Sequence, residues 1–256
     1  MHCKLGIIDW GIGGIGVYKL IKEHRPDVSI VYFSDTGVTP YGKMSRAELV
    51  GRLNQVIGFL KTKGVTHLVI GCNAASTAIP FLDPQGLRIE GVIDAAVTIT
   101  ARLKPKRLGL IGGRRTVLSG VYRRAFAERG IDVEQRIAQP LSALIESGDT
   151  SSDKLRAECA PILSPIRNCS HILLACTHYP AIASVIQEFV SASTVLIDPA
   201  AELVKRTTGW KIGPGDDEFY TSGDPSQMNH SAKLGFGCRI GKVRVVNSIS
   251  DGSARS

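Results

Sequence analysis

The sequence predicts an α/β protein made of two similar units, each an open and mostly parallel sheet wrapped by helices. Short apolar runs alternate with amphipathic segments, which is the pattern of β-α-β units. The pattern then starts again at a nearly constant offset, because 103 positions separate Leu5 from Leu108 and 104 separate Cys72 from Cys176. A cysteine directly follows an apolar run in both copies. We therefore expect a duplicated unit with one thiol in each half.

The first half of the chain supplies the elements in a regular alternation. Ser45 with Glu48 three residues later is a capping box, which marks the start of the second helix. Cys72 ends the third strand, and ligands of such sheets bind beyond the carboxyl ends of the strands. In order, the predicted elements are a strand at 4–9, a helix at 15–24, a strand at 29–35, a helix to about 63, a strand at 66–72, a strand or crossing segment at 88–94 and a helix at 95–103.

The second half repeats this alternation and ends in short elements. Its second cysteine, Cys176, also closes an apolar strand. The predicted elements are a strand at 107–113, one helix at 116–130 that stops at Gly130, a strand at 131–138, a helix from Pro140 to about Glu146, a helix at 151–167, a strand at 171–176, a strand and helix within 193–204, and strands within 215–225 and 242–247.

The composition favours an ordinary globular protein and excludes several functional classes. With 43% hydrophobic and 21% charged residues in 256 positions, nothing predicts disorder. The net charge of +8 comes from scattered Lys and Arg, so we expect no nucleic-acid partner. No apolar run approaches the roughly 18 to 20 residues of a membrane span, and Asp9 interrupts the apolar start, so we expect neither a membrane segment nor a secretory signal and place the protein in the cytoplasm.

Six cysteines are an even number, but a chain of this length in a reducing compartment does not need a disulfide framework. No two of them have the close spacing of a zinc or thioredoxin site, so we predict no metal. Each cysteine is therefore considered singly, and the ordinary expectation for any one of them is a small buried hydrophobic residue.

One alternative comes from the glycine-rich loop after the first strand. Gly11, Gly13 and Gly16 fit G-x-G-x-x-G, and Asp35 ends the second strand 19 residues later, which is the spacing of a dinucleotide-binding site. A dinucleotide-dependent oxidoreductase is therefore one candidate. Two features argue against the dinucleotide interpretation: the carboxylate of Asp9 lies where a pyrophosphate would approach, and this interpretation gives no role to the two thiols at strand ends.

Proton transfer at carbon gives both thiols a role. Inverting a stereocentre without a cofactor requires one group to remove a proton from one face and another group to supply a proton to the opposite face. Cysteine serves as base or acid, since its pKa of about 8.5 can be moved toward neutrality by its surroundings. Cys72 and Cys176 are the candidate pair, with Asp9 and His178 as helpers that manage their protons.

Several motifs together resemble the glutamate racemase family, part of the aspartate/glutamate racemase superfamily. They follow one another in order over nearly the whole chain, and the segment CTHYP after an apolar strand is the most specific of them. The motifs are Asp9 followed by GxGG, PYG at 40–42, Cys72-Asn73, TVLSGVY at 116–122, PLSALIESGD at 140–149, CTHYP at 176–180, LIDPAAELV at 196–204 and FYTSGDP at 219–225.

The resemblance implies a cofactor-independent amino-acid racemase with two α/β domains related by pseudo-two-fold symmetry and an active site in the cleft between them. Residues 1–92 with 209–256 would form one domain and 93–208 the other. The implied substrate is a small molecule, the amino acid glutamate or a related one, the implied assembly is a homodimer, and the implied product is D-glutamate for peptidoglycan. By position, the acid/base residues are Cys72, Cys176, Asp9 and His178, the substrate is held by Tyr41, Gly42, Asn73 and Thr177, and Glu146 and Thr116 support them.

The sequence departs from the family where the substrate is held. Trp10 and Ala74 replace a serine and a threonine, and losing two hydrogen bonds to charged groups costs roughly 3 to 6 kcal/mol, or about 10² to 10⁴ in affinity. Trp10 could pack between elements, donate its indole N–H to the substrate, or reshape the pocket. A racemase with a different amino-acid substrate and a homologue without catalysis are therefore alternatives to a glutamate racemase.

Overall fold

A computed structural model describes residues 3–247 and residue 249. In this part of the chain the strands lie in two sheets, and every strand pairing within the sheets is parallel. The strands are β1 Lys4–Asp9, β2 Ile30–Ser34, β3 Val65–Ile70, β4 Arg88–Gly91, β5 Leu108–Gly112, β6 Val133–Ile137, β7 His171–Ala175, β8 Val195–Ile197, β9 Glu218–Thr221 and β10 Val243–Val245.

The two sheets repeat one strand order. The first sheet runs β10-β9-β2-β1-β3-β4 and the second runs β6-β5-β7-β8, so the order of four strands (second, first, third, fourth) occurs in both. We call the elements of these sheets the first and second units. The last two strands of the chain extend the first sheet beyond the repeat. The predicted α/β fold with two similar units is therefore confirmed.

Helices cover the sheets, and the described ones are listed here in chain order. None of them has the combined length and apolar character that a bilayer span needs. They are α1 Ile15–His24, α2 Arg46–Thr62, α3 Asn73–Ser76, α4 Val92–Leu103, α5 Arg114–Leu118, α6 Val121–Ala127, α7 Gln139–Glu146, α8 Asp153–Leu163, α9 Ala183–Glu188, α10 Ala200–Thr207 and α11 Pro225–Phe236, with 3-10 turns at Ile79–Phe81, Ser164–Ile166 and Tyr179–Ile182.

The central strands explain the continuous apolar runs in the sequence. All five residues of β5 are buried, and in β1 only the first residue is partly exposed, because helices cover both faces of these strands. The capping box at the start of α2 forms as predicted, with Ser45 accepting from the Glu48 N–H and the Glu48 carboxylate accepting from the Ser45 N–H. The buried strands fix the positions of their own carboxyl ends, and therefore the positions of the two cysteines that follow β3 and β7.

Several helix boundaries differ from the prediction. α4 begins at Val92, three residues before the predicted start, since the strand before it is shorter than predicted. The predicted helix at 116–130 is two helices, because Gly120 adopts a left-handed φ of 68° between them. The predicted helix at 151–167 leaves the α conformation after Leu163, where the chain continues as a 3-10 turn with Pro165 in its first positions.

α11 was not predicted. It follows β9 in a segment in which the sequence predicted no element beyond residue 225. Its signals were present: Asp224 accepts a hydrogen bond of 2.7 Å from the Ser226 N–H, Pro225 occupies the first turn, and Gly237 ends the helix at φ 59°. The predicted domain limits of 1–92 with 209–256 and 93–208 stay a prediction, and residues 1, 2, 248 and 250–256 lie outside the described part.

Candidate active site

The two predicted thiols line one cavity of about 300 Å³. Cys72 follows β3 and precedes α3, while Cys176 occupies the equivalent place after β7, before a 3-10 turn. The structure brings nearly all predicted site residues to this cavity. Glu146 does not line the cavity, but its carboxylate contacts His178, which does. The predicted residues that line it are Asp9, Trp10, Tyr41, Gly42, Cys72, Asn73, Ala74, Thr116, Cys176, Thr177 and His178.

On the Cys72 side, the helper is a buried carboxylate. Asp9 ends β1 and is fully buried, and it accepts hydrogen bonds of 2.7 Å from both the Trp10 N–H and the Thr177 hydroxyl. Burial raises the pKa of Asp9, although the charge of His178 and these hydrogen bonds oppose the shift. Burial, reinforced by the neighbouring Asp9 charge, also raises the pKa of the Cys72 thiol well above its ordinary value. The resting state of this half of the site is therefore a protonated thiol.

On the Cys176 side, the helper is an imidazole. Nδ1 of His178 lies 3.7 Å from the Cys176 sulfur, and its Nε2 lies 2.6 Å from Oε2 of Glu146. Burial lowers the pKa of His178, but the hydrogen bonds to Cys176 and Glu146 outweigh burial, and the net pKa is raised well above its ordinary value. An imidazolium at this position can deliver a proton to the sulfur or stabilise negative charge on it.

Each helper is tied to the other unit. The Thr177 hydroxyl of the second unit donates to Asp9 of the first, and the Ile12 N–H of the first unit donates a hydrogen bond of 3.0 Å to Glu146 of the second. The glycine-rich loop permits this approach, because a Cβ at Gly11 would collide with the Glu146 carboxylate and one at Gly13 with the Thr177 hydroxyl. The glycines therefore make room for side chains of the other unit.

The dinucleotide interpretation is wrong for this loop. Asp35, which would have to bind a ribose, is fully buried and accepts hydrogen bonds from Tyr41 (2.6 Å), Arg52 (2.6 and 2.8 Å) and Ser222 (2.7 Å). Its acceptor capacity is used within the protein. The same contacts explain Tyr41: its ring lines the cavity, but its hydroxyl is committed to Asp35.

Two residues of the cavity wall carry polar groups without a partner, which are candidates to hold a charged ligand. The side-chain oxygen of Asn73 accepts a hydrogen bond of 2.6 Å from the hydroxyl of Tyr122, which leaves the buried amide nitrogen without a partner among the described residues. The Thr116 hydroxyl also has no partner there. By contrast, the Thr177 hydroxyl, predicted to hold substrate, is used by Asp9. Tyr122 was not singled out in the sequence.

Trp10 contributes a ring and no free donor. Its indole N–H donates a hydrogen bond of 3.2 Å to the Val38 carbonyl, so the possibility that this N–H binds substrate is wrong. The ring packs against the core of the first unit and also forms part of the cavity wall, beside Ala74. The cavity wall is therefore apolar at Trp10 and Ala74, where the sequence departs from the family that it resembles.

The described residues contain no group of three or more His, Cys, Asp or Glu that could hold a metal ion.

Comparisons with known proteins agree on one family. The Asp/Glu/Hydantoin racemase family model matches residues 5–207. A glutamate racemase from Aquifex aeolicus is 32% identical over 237 residues, which cover 90% of this chain and 93% of that protein, and one from Desulforudis audaxviator is 32% identical over 208 residues, 78% of this chain and 76% of that protein.

Solved structures show the same relationship. The crystal structure of glutamate racemase from Francisella tularensis in complex with D-glutamate superposes with a TM-score of 0.86 at 25% identity, covering 97% of this chain and 98% of that one. The glutamate racemase from Thermus thermophilus in complex with β-chloro-D-alanine gives a TM-score of 0.81 at 26% identity, covering 96% and 97%. The chain therefore belongs to the Asp/Glu/Hydantoin racemase family.

Proposed function

We propose that this protein is a glutamate racemase, an isomerase that interconverts L- and D-glutamate without a cofactor. The observation that carries the proposal is the pair of thiols at equivalent strand ends of two repeated units, lining one cavity. The names of the relatives agree with it. The proposal makes D-glutamate for peptidoglycan the product.

The reaction follows from two acid/base groups that share one substrate. One sulfur, as thiolate, takes the α-proton, and the electron pair of the broken C–H bond stays on the substrate as a planar carbanion. The other sulfur, as thiol, gives its proton to the opposite face, so a new C–H bond forms with inverted configuration. Cys72 works with Asp9, and Cys176 works with His178, which Glu146 orients. Each turnover exchanges the protonation states of the two sulfurs.

Substrate binding is assigned to groups that have no other partner. The buried Asn73 amide nitrogen is unsatisfied within the described chain, a situation that costs about 1 to 3 kcal/mol and is relieved when a ligand carboxylate accepts a hydrogen bond from it. Thr116 offers a second donor, and the Gly42 backbone lies at the cavity wall. The negative charge of Asp9 complements the α-ammonium group of an amino acid.

A second candidate is a racemase of the same family that acts on another amino acid. The observation that favours it is the apolar wall of Trp10 and Ala74, which a less polar side chain would fit.

We also propose a cytoplasmic homodimer. Two catalytic thiols that must stay reduced suit a reducing compartment.

The test is solvent-deuterium exchange with purified protein and a panel of L- and D-amino acids that includes glutamate, aspartate and glutamine. We expect incorporation at the α-carbon of glutamate, together with loss of optical activity, without added cofactor. Exchange with another amino acid alone would select the second candidate. Binding without exchange on any substrate would identify a non-catalytic homologue.

Cysteine substitutions then test the mechanism. Cys72→Ser and Cys176→Ser should each lower racemisation by at least about 10²-fold, because an alcohol is a far weaker acid than a thiol. Cys238→Ser, at a partly exposed thiol that does not line the cavity, is the matched control. Full activity in either active-site variant would eliminate the two-thiol mechanism.

A further inference from the structure

We propose that Lys43 is a specificity-determining residue that selects an amino acid whose side chain ends in a carboxylate. The inference rests on the proposed racemase function and identifies the residue through which the site distinguishes an acidic side chain from a neutral one of the same shape. Lys43 follows the loop at 40–42 directly and lines the same cavity as the two thiols. Among the described residues that line this cavity, it is the sole lysine or arginine.

The ammonium group of Lys43 is available for a ligand. Within the described chain it has neither a hydrogen-bond acceptor nor an ion-pair partner. Neighbouring cations are already committed: Arg52 binds Asp35 through two hydrogen bonds, and Arg115 donates to the Met44 carbonyl at 2.7 Å and to the Thr77 hydroxyl at 3.1 Å. Among the described residues of the cavity wall, Lys43 is therefore the unpaired cation that a substrate can recruit.

The backbone that carries Lys43 is held in place. Its N–H donates a hydrogen bond of 2.7 Å to the Pro40 carbonyl, which closes a tight turn, and Tyr41 inside that turn is anchored to Asp35. Gly42 packs close to Gln139 of the second unit, whose side-chain oxygen would lie 3.0 Å from a Cβ at this position. The Cα of Lys43 is thus fixed at the cavity while its exposed side chain can turn toward a ligand.

The rest of the cavity wall offers no second unpaired cation among the described residues. Trp10 has given its indole N–H to Val38, and Ala74 has no polar atom in its side chain, so neither can bind a carboxylate. The other basic group at the wall, His178, is paired with Glu146. Burying a carboxylate beside apolar groups is costly unless a charge or donor meets it. Lys43 supplies that charge, and a neutral amide, whose oxygen can only accept a weaker hydrogen bond from it, gains little.

The experiment compares Lys43→Gln, which removes the charge, with Lys43→Arg, which keeps it. Racemisation of glutamate gives kcat and KM, and glutamine, which has nearly the same shape without the charge, is measured as a competing ligand so that its Ki requires no turnover. The matched control is Lys61→Gln, at an exposed lysine in the last turn of α2 away from the cavity.

We expect Lys43→Gln to raise the KM for glutamate about 10- to 100-fold, equivalent to roughly 1.4 to 2.8 kcal/mol, with kcat within about threefold of the parent. The Ki of glutamine should stay unchanged, Lys43→Arg should restore most of the affinity, and Lys61→Gln should behave like the parent. The glutamate KM should also rise with salt in the parent and less in Lys43→Gln.

Two results would overturn the proposal and are distinguishable from each other. If the parent racemises glutamate and Lys43→Gln keeps its preference for glutamate over glutamine, or weakens both ligands equally, the proposed function stands and the role of Lys43 is refuted. If the parent exchanges the α-hydrogen of neither glutamate nor aspartate, the proposed function and the selection of an acidic side chain both fail.

Discussion

Arg52→Met is expected to destabilise the protein strongly even though Arg52 does not line the cavity. Asp35 is fully buried, and Arg52 supplies two of its hydrogen bonds and its counter-charge. Removing one partner of a buried ion pair costs about 3 to 5 kcal/mol, because the remaining charge has lost its counter-charge. Arg52 keeps 16% side-chain exposure, so we take the lower limit of about 3 kcal/mol. For a chain of this length that corresponds to a Tm lower by about 6 to 12 °C.

The assay is urea unfolding followed by circular dichroism, with thermal unfolding as a second measure. Arg107→Met is the matched control, since its hydrogen bond to Glu134 joins two exposed side chains, and it should unfold like the parent. The double variant Asp35→Asn with Arg52→Met should regain much of the lost stability. An Arg52→Met protein within about 1 kcal/mol of the parent would refute the reasoning, as would a double variant no more stable than the single one.

Three further predictions concern the site. Asp9→Asn should raise the unfolding free energy at pH 7 while abolishing racemisation, because burial raises the Asp9 pKa and so penalises its charged form. This gain in stability should shrink toward pH 4, where Asp9 of the parent becomes protonated. Equal gains at both pH values would contradict the prediction. His178 has a raised pKa in the folded protein, so the parent should be more stable than His178→Asn. This difference in unfolding free energy should be complete below about pH 6.5 and should decline as the pH rises toward the folded pKa. A difference that does not fall with rising pH would argue against an imidazolium. Trp10→Ser with Ala74→Thr should raise kcat/KM for glutamate by about tenfold or more, measured by polarimetry, and unchanged or poorer kinetics would mean that these positions do not set specificity.

Periodicity was sufficient to predict the fold because buried parallel strands leave long apolar runs. The offset between the two cysteines also predicted their equivalent positions after β3 and β7. Boundaries were harder, since they depend on local conformations such as the left-handed Gly120 that divides α5 from α6. α11 was overlooked although its Asp-Pro start and glycine end are ordinary helix signals.

The glycine loop shows why spacing alone misled. Glycines at these positions indicate only that something approaches the backbone closely, and the sequence does not say whether that is a pyrophosphate or a carboxylate from the other unit. Here it is Glu146, more than a hundred positions away in the chain. Similarly, Asp35 ends a strand as a ribose ligand would, but Arg52 and Ser222 converge on it only in the folded state. Lys43 and Tyr122 were missed because nothing local indicates where their side chains point.

The unequal helpers have a kinetic consequence. Cys72 works beside a carboxylate and Cys176 beside an imidazolium, so the two half-sites hold their protons with different strengths. Mirror-image substrates have identical free energy in water, and the equilibrium constant between them is therefore one. Detailed balance then requires equal kcat/KM values in the two directions, however dissimilar the helpers are. Any kinetic imbalance can therefore appear only as kcat and KM values that differ between the directions by the same factor, a signature that a perfectly symmetric pair of half-sites would lack.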